Sequence, residues 1–323
     1  MNPYELINNI YTRPGNRTFG YSDGDAVENY LLSCIRAAAD VSTGSAELAA
    51  AIRDWPSMYH LSPRRADLLR PLAPLLQRNC GDGHPAPGNS ASGNPTAGNP
   101  VKVLEIGCGC GAITRFLGEL GCEVTALEGS EKRALIARER CRHQQNVRVI
   151  CDNFSDFQWE EQFDIVLLVG VLEYSRQFME GTGNNAPLAM LRRAKNYLRP
   201  EGQLILAIEN QLGLKYWAGA PEDHTGRPFD GIEDRYTSDT AVTFGRSALT
   251  RLLSDAGFPL QEFLYPFPDY KLPEVIVKEP AFSAAGLDLG NLLHEKFDYP
   301  HASGEATEFS PTRAAAVVME NKL

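Results

Sequence analysis

The sequence has no long apolar run. None of its 323 residues belongs to a stretch approaching the roughly 20 consecutive apolar residues that a membrane-spanning helix requires, so no membrane span is expected. The opening MNPYELINNIYTRPGNRTFG lacks both a basic stretch and an apolar core, so no secretory signal is expected. Positive charge is in deficit: 31 Lys and Arg against 41 Asp and Glu leave a formal charge of −10. That balance argues against a binder of phosphate backbones, so no nucleic-acid partner is expected. Arg64, Arg65 and Arg70 form a small basic patch and read as solvated helix-end charges. A disulfide framework is also missing, because the seven cysteines are odd in number and irregular in spacing. Reduced thiols in a cytoplasmic protein fit better. Cys108 and Cys110 stand two apart, but no second Cys/His pair at finger spacing accompanies them, so no metal site is expected.

What is present is an ordinary globular composition, 43% hydrophobic and 22% charged. The length suits one large domain, or a main domain with an appendage. Residues 1–78 read as an N-terminal helical cap. Ala26–Ala39 has apolar residues at helical spacing, with Asp23 or Asp25 as cap. Ser45–Ile52 continues the helical region and Trp55–Leu61 breaks it. Ser62–Leu76 reads as a further helix, with Ser62 as N-cap and Pro63 at its first position, bent or ended by Pro71 and Pro74. Tyr59 and His60 could face a substrate, but packing against the core is the preferred expectation. Residues 79–100 hold five Gly and four Pro, and Gly-Asn recurs every five residues. They read as a flexible linker.

From residue 101 strands and helices alternate, the pattern of a doubly wound α/β sheet. Strands are expected at Val101–Ile106, Glu123–Leu127, Val147–Cys151, Phe163–Val169, Gln203–Ile208 and Leu260–Tyr265. Helices are expected at Ala112–Leu120, Glu131–Gln144, Ala186–Leu198 and Ser247–Ala256. Val275–Val277 could return against the last strand as a hairpin. The main domain is taken as 101–280, with an irregular lid at 209–244 and a C-terminal extension at 281–323.

The stretch VKVLEIGCGCG at 101–111 joins a buried strand to a glycine-rich turn that presents bare backbone N–H groups. GCGCGA matches the dinucleotide pattern G-x-G-x-x-G/A, which is a weak signal taken singly. Glu105 stands two residues before Gly107, and glycines at 107, 109 and 111 are tighter than a pyrophosphate turn needs. A carboxylate there suits a cationic ligand. Glu128, 21 residues after Gly107, ends a strand where an acid can accept from ribose hydroxyls. Asp152 ends the next strand and can take an adenine amino group, with Asn153 beside it and Phe154 near the ring. Gly170–Tyr174 follows the fourth strand.

The order VLEIGCGCG, ALEGS, CDNF, FDIVLLVGVLEY, LRPEGQLILAIEN resembles the class I S-adenosylmethionine-dependent methyltransferases over about 101–265. The resemblance implies a Rossmann-like seven-stranded sheet with its last strand antiparallel, and S-adenosylmethionine as cofactor. It implies cofactor contacts at Glu105, Gly107, Gly109, Gly111, Glu128, Asp152 and Asn153. Neighbouring Cys108, Gly129 and Phe154 join that set, with Gly170, Val171 and Tyr174 under the methionine part. WPSMYHLSPRRADLLRPL, ENQLGLKYWAGAPEDHTGRPFDGIEDRY and PFPDYKLP are similar to bacterial methyltransferase domains associated with glycosyltransferases in surface-polysaccharide biosynthesis. A saccharide acceptor and a glycosyltransferase partner are what that narrower resemblance implies.

Methyl transfer to a hydroxyl benefits from a general base. His224 in the lid is the first candidate, because its ordinary pKa lies near neutrality. Asp223 or Glu222 could serve in its place or orient it, and Glu209 could serve as base or acceptor ligand. Tyr216 and Trp217 either stack on a sugar or anchor the loop. The leading expectation is O-methylation of a saccharide-linked acceptor. An NAD(P)-dependent oxidoreductase and a non-catalytic methyltransferase-like interaction domain remain as alternatives.

Overall fold

The structure is a computed structural model that describes residues 3–15, 22–77, 99–179, 185–238 and 240–284. The expected linker falls almost wholly outside the described residues, as does the C-terminal extension beyond residue 284. Nine strands are assigned among the described residues: β1 (Glu5–Ile7), β2 (Ile10–Thr12), β3 (Lys102–Ile106), β4 (Glu123–Glu128), β5 (Val147–Cys151), β6 (Phe163–Val169), β7 (Leu198–Ala207), β8 (Leu264–Phe267) and β9 (Val275–Lys278). Seven form one sheet in the order β1-β2-β5-β4-β3-β6-β7, and β8 with β9 form a second. β2 with β5, β5 with β4 and β4 with β3 pair in parallel, whereas β1 and β2 are antiparallel.

The helices Ala112–Glu119 and Glu131–Arg140 alternate with β3, β4 and β5, so the fold is the expected Rossmann-like α/β sheet. The central strands are buried nearly throughout, and β6 has the near-continuous Ile, Val and Leu run expected of a strand covered on both faces. By its internal contacts the chain divides into two compact units: Met1–Leu167 with Tyr197–Ile205, and Leu168–Asn196 with Leu206–Leu323.

In the first unit, helices Asp25–Ala37, Ala46–Ala50 and Trp55–Leu61 form the expected cap. Leu31, Ile35, Val41, Leu48 and Leu61 pack in one buried cluster with Cys110 and Ile136. The cap is thus continuous with the glycine turn and with helix Glu131–Arg140. Two expectations for this region fail. Trp55–Leu61 is a helix: Asp54 accepts from the Ser57 N–H at 2.9 Å, Ser57 Oγ accepts from the Asp54 N–H at 3.0 Å, and Pro56 sits in the first turn where its missing N–H costs nothing. Ser62–Leu76 is interrupted near Pro71 and Pro74 as expected, but its first part is not α-helical: it runs as 3-10 turns at Pro63–Leu68 and Arg70–Leu72 before a short helix at Ala73–Leu76.

The N-terminal hairpin is a further departure. The two sheet positions beyond β5 are filled by β2 and then β1, which pair antiparallel with each other. The strand expected at Leu260–Tyr265 begins at Leu264 and leaves the main sheet to pair with Val275–Lys278, the anticipated hairpin return. β7 starts at Leu198, five residues before the expected Gln203, so the RPEG segment is extended rather than a helix end.

Candidate functional site

The glycine turn follows directly from β3 in the first unit. Gly107, Gly109 and Gly111 all take positive φ, at 73°, 55° and 78°. Gly111 is additionally required by space, because a Cβ there would lie 2.8 Å from the Ala137 Cα. This close approach seats helix Glu131–Arg140 against the turn. The Gly107 and Cys108 N–H groups donate to the Leu127 carbonyl at 2.8 and 3.0 Å. Gly107 itself is exposed.

Glu128 is buried at the end of β4 and grips the same turn. Its Oε2 accepts from the Gly109 N–H at 2.8 Å and its Oε1 from the Ser130 N–H at 2.9 Å. Burial pushes its pKa up, against the Arg133 charge and those two donors. Each Glu128 oxygen keeps a second lone pair, which is what ribose hydroxyls would need. Glu105 is buried at the end of β3, and the Thr114 hydroxyl donates to its Oε2 at 2.6 Å. Burial raises the Glu105 carboxyl to about 8, although Thr114 and the Arg65 charge pull the other way. Glu105, Gly107, Cys108, Gly109, Gly111 and Glu128 therefore come together as expected, with half-buried Gly129 adjacent. The two thiols of the turn are buried, which pushes Cys110 up to about 12 and Cys108 well above its ordinary value.

Asp152 does not join them in the expected way. Its Oδ2 accepts from the Tyr4 hydroxyl at 2.7 Å, and its Oδ1 from Arg13 and from the Asn153 N–H, both at 2.9 Å. The buried carboxylate anchors the N-terminal hairpin, and an adenine amino group would have to compete with those donors. The Phe154 ring lies 6.2 Å from Tyr197, tilted by 48°.

A set of cap residues also borders the turn. His60 is buried, and its Cε1 is 4.0 Å from where a Gly109 Cβ would stand. Its Nε2 lies 2.9 Å from Asp23 Oδ2, and Arg133 is paired with both Asp23 and Glu28. Buried Arg65 donates to the Tyr59 hydroxyl at 2.9 Å. The signal was the SPRR tetrapeptide, which reads as solvated charge until the fold buries its second arginine.

The second unit gathers a different set. Gly170, Val171 and Tyr174 follow β6, and Glu173 among them is buried. The Tyr174 ring stacks on His224 at 5.3 Å and 8°. A Cβ at Gly170 would lie 2.8 Å from the Tyr270 hydroxyl, so this glycine admits the Tyr270 side chain. Glu209 Oε1 takes Lys271 Nζ at 2.7 Å and the Tyr270 hydroxyl at 3.3 Å. Its Oε2 lies 3.9 Å from His224 Nε2, and among the described residues neither atom has a hydrogen-bond partner. Asp223 is held by Lys215 at 2.5 Å, by the Tyr216 hydroxyl and by Lys271 at 3.4 Å. Burial opposes its charge, but the two lysines keep its carboxyl at about 2. Glu222 Oε2 accepts the His224 and Thr225 N–H groups, each at 2.7 Å.

The three expected catalytic residues thus converge, and Glu173, Tyr270 and Lys271 join them unforeseen. Tyr216 is fully buried and anchors the segment, whereas Trp217 is 51% exposed. No metal ligand was expected, yet the ligand atoms of Glu173, Glu209 and His224 lie within 4.8 Å of one another.

Residues 104–206 match the family model described as "Methyltransferase domain". Among curated proteins the chain is similar to a ubiquinone biosynthesis O-methyltransferase of Glaesserella parasuis serovar 5, 28% identical over 36% of this chain and 48% of that one. It is also similar to a demethylmenaquinone methyltransferase of Tropheryma whipplei, 31% identical over 32% of this chain and 40% of that one. The similarity therefore spans less than half the length of either relative. A solved 1,6-didemethyltoxoflavin-N1-methyltransferase of Burkholderia thailandensis covers 65% of this chain and 76% of its own at 20% identity, with a TM-score of 0.41. No helix among the described residues is long and apolar enough to cross a membrane. The glycine turn and all three strand-end acids fall inside 104–206, and it is this segment that carries the likeness to methyltransferase domains.

Proposed function

We propose that the chain is an S-adenosylmethionine-dependent methyltransferase that O-methylates a saccharide or polysaccharide-linked acceptor. The observation that carries the reading is the glycine turn locked to Glu128 inside the segment that matches the methyltransferase domain model. Its residues fit the cofactor. Glu128 has lone pairs for ribose hydroxyls, buried Glu105 offers a carboxylate to a cationic ligand, and the exposed Gly107 backbone permits close approach. S-adenosylmethionine supplies an activated methyl group when bound; this chain's residues orient it and the acceptor, which is most of what a one-step displacement needs.

The acceptor belongs to the polar cluster of the second unit. A hydroxyl oxygen about 2.8 Å from both Glu209 Oε2 and His224 Nε2 fits beside their 3.9 Å separation and would satisfy both atoms. Asp223, committed to two lysines and Tyr216, positions this pair rather than touching the acceptor. Exposed Trp217 offers an apolar face of the kind on which sugars stack. The curated relatives are named for ubiquinone biosynthesis and for demethylmenaquinone. A cluster of carboxylates and lysines suits a hydroxylated acceptor better than an apolar quinone. A cytoplasmic setting beside glycosyltransferases is consistent with that chemistry.

Calorimetry with S-adenosylhomocysteine and with NAD tests the donor. Saturable binding of S-adenosylhomocysteine is expected, and binding of NAD in its place would sink the reading. Mass spectrometry of polysaccharide precursors from cells with and without the protein tests the acceptor through a methyl mass difference.

A further inference from the structure

Glu209 Oε2 and His224 Nε2 belong to side chains that are 3% and 8% exposed, and both atoms lack a hydrogen-bond partner among the described residues. Leaving two such atoms buried and unsatisfied costs free energy that a bound ligand would recover. Their 3.9 Å separation lets a cation at ~2.1 Å from each sit almost between them. Glu173 completes the set, with all three ligand atoms within 4.8 Å. The surroundings hold these ligands in place. Lys271 and Tyr270 occupy only Oε1 of Glu209, which leaves Oε2 turned to the gap. Glu222 pins the His224 backbone, and the Tyr174 ring lies flat against the imidazole.

We propose that Glu173, Glu209 and His224 bind one divalent cation of the Mn2+ or Zn2+ type, with a coordination position left open. Two carboxylates and one imidazole form a mixed oxygen and nitrogen set that suits those ions. The cation's part in the reaction rests on the methyltransferase reading. The cation would then take the place between Glu209 and His224 that the acceptor hydroxyl fills in its absence, and the hydroxyl, moved to the open position, would be polarised and its proton made more acidic. The acceptor oxygen's lone pair then forms the new O–C bond, the C–S electron pair stays on sulfur as S-adenosylhomocysteine, and the hydroxyl proton passes to water.

The test is calorimetric titration of Mn2+ and Zn2+ into the chelator-treated full chain, with Mn2+ followed in parallel by its paramagnetic resonance signal. Wild type is expected to bind one cation per chain. Each of Glu173→Gln, Glu209→Gln and His224→Ala is expected to weaken binding at least ~10-fold, the scale for disturbing an ordered metal site. The wild-type melting temperature should rise with the cation, a readout that needs no variant to fold. Substoichiometric binding by wild type, or unchanged affinity in all three variants, overturns the site. S-adenosylhomocysteine titrated into the same cation-free sample separates the two readings. Cofactor binding without cation binding removes only this inference; cation binding without cofactor binding removes the methyltransferase reading and leaves the metal site standing.

Discussion

The glycine turn of the first unit and the polar cluster of the second are built from opposite materials. The turn is held by backbone: Gly107, Cys108 and Gly109 donate to the Leu127 carbonyl and the Glu128 carboxylate. Regular strands and helices on both sides fix it. The cluster is held by side chains on a segment with little regular structure, where Lys215, Lys271, Asp223, Glu209 and Glu222 arrange one another. A rigid backbone site suits a cofactor of constant shape. Charged side chains on an irregular segment can be exchanged without disturbing the sheet, which suits the part of an enzyme that selects its acceptor.

Substitutions should separate the two regions. The largest effect is expected at Gly111→Ala. The positive φ and the 2.8 Å contact with Ala137 add backbone strain to overpacking, for a loss of about 3 kcal/mol in urea unfolding. An unaltered midpoint would show that the turn yields more readily than its geometry implies. Next, His224→Ala should lower turnover about 10²-fold, the scale for misplacing a reacting group, with S-adenosylhomocysteine affinity unchanged. Equal loss of both would mean that the regions are not separable. Glu128→Ala should do the reverse. It strips the Gly109 and Ser130 N–H groups of their acceptor and should weaken S-adenosylhomocysteine by about tenfold or more, the scale of one lost charged hydrogen bond.

Two smaller effects concern pH. With its carboxyl near 8, Glu105 carries its proton at pH 7, and a cationic ligand would favour the ionised form. Cofactor binding should therefore release protons near pH 7, read as a buffer-dependent heat that disappears in Glu105→Gln. In the cap, burial opposes the Asp23 charge, but His60 and Arg133 hold its carboxyl down at about 2. A depressed carboxylate stabilises the fold fully above its ordinary range near 4. That contribution is lost as pH falls from about 4 through about 2, so Asp23→Asn should flatten this part of the acid-unfolding curve.

Much of the fold was legible. Val147–Cys151 and Phe163–Val169 are strands to the residue, because a short, largely apolar segment rich in β-branched residues between turns has few other ways to be buried. The N-terminal hairpin was missed because its strands are three residues long and β1 is exposed. Its signal was present in Asn8 and Asn9, both at positive φ, as a tight hairpin turn requires. Trp55–Leu61 was missed because its proline reads as a break until Asp54 is recognised as the cap. Glu105, Glu128 and the glycines were singled out because the glycine turn is a local motif. Glu173 lay inside a stretch already singled out, but its apolar neighbours drew the reading toward packing. Nothing near Lys271 in sequence hints at Glu209 or Asp223.

By itself the sequence determined the alternation of strands and helices, the glycine turn and the acids that flank it. These depend on residues a few positions apart, where periodicity and backbone sterics act directly. Only the tertiary structure decided that Asp152 answers to Tyr4 and Arg13, that Arg65 is buried, and that Glu173, Glu209 and His224 share one gap. Side chains separated by tens to more than a hundred positions meet only through the path of the whole chain, and whether a carboxylate is solvated, paired or left facing an imidazole nitrogen with no hydrogen-bond partner among the described residues depends on that meeting.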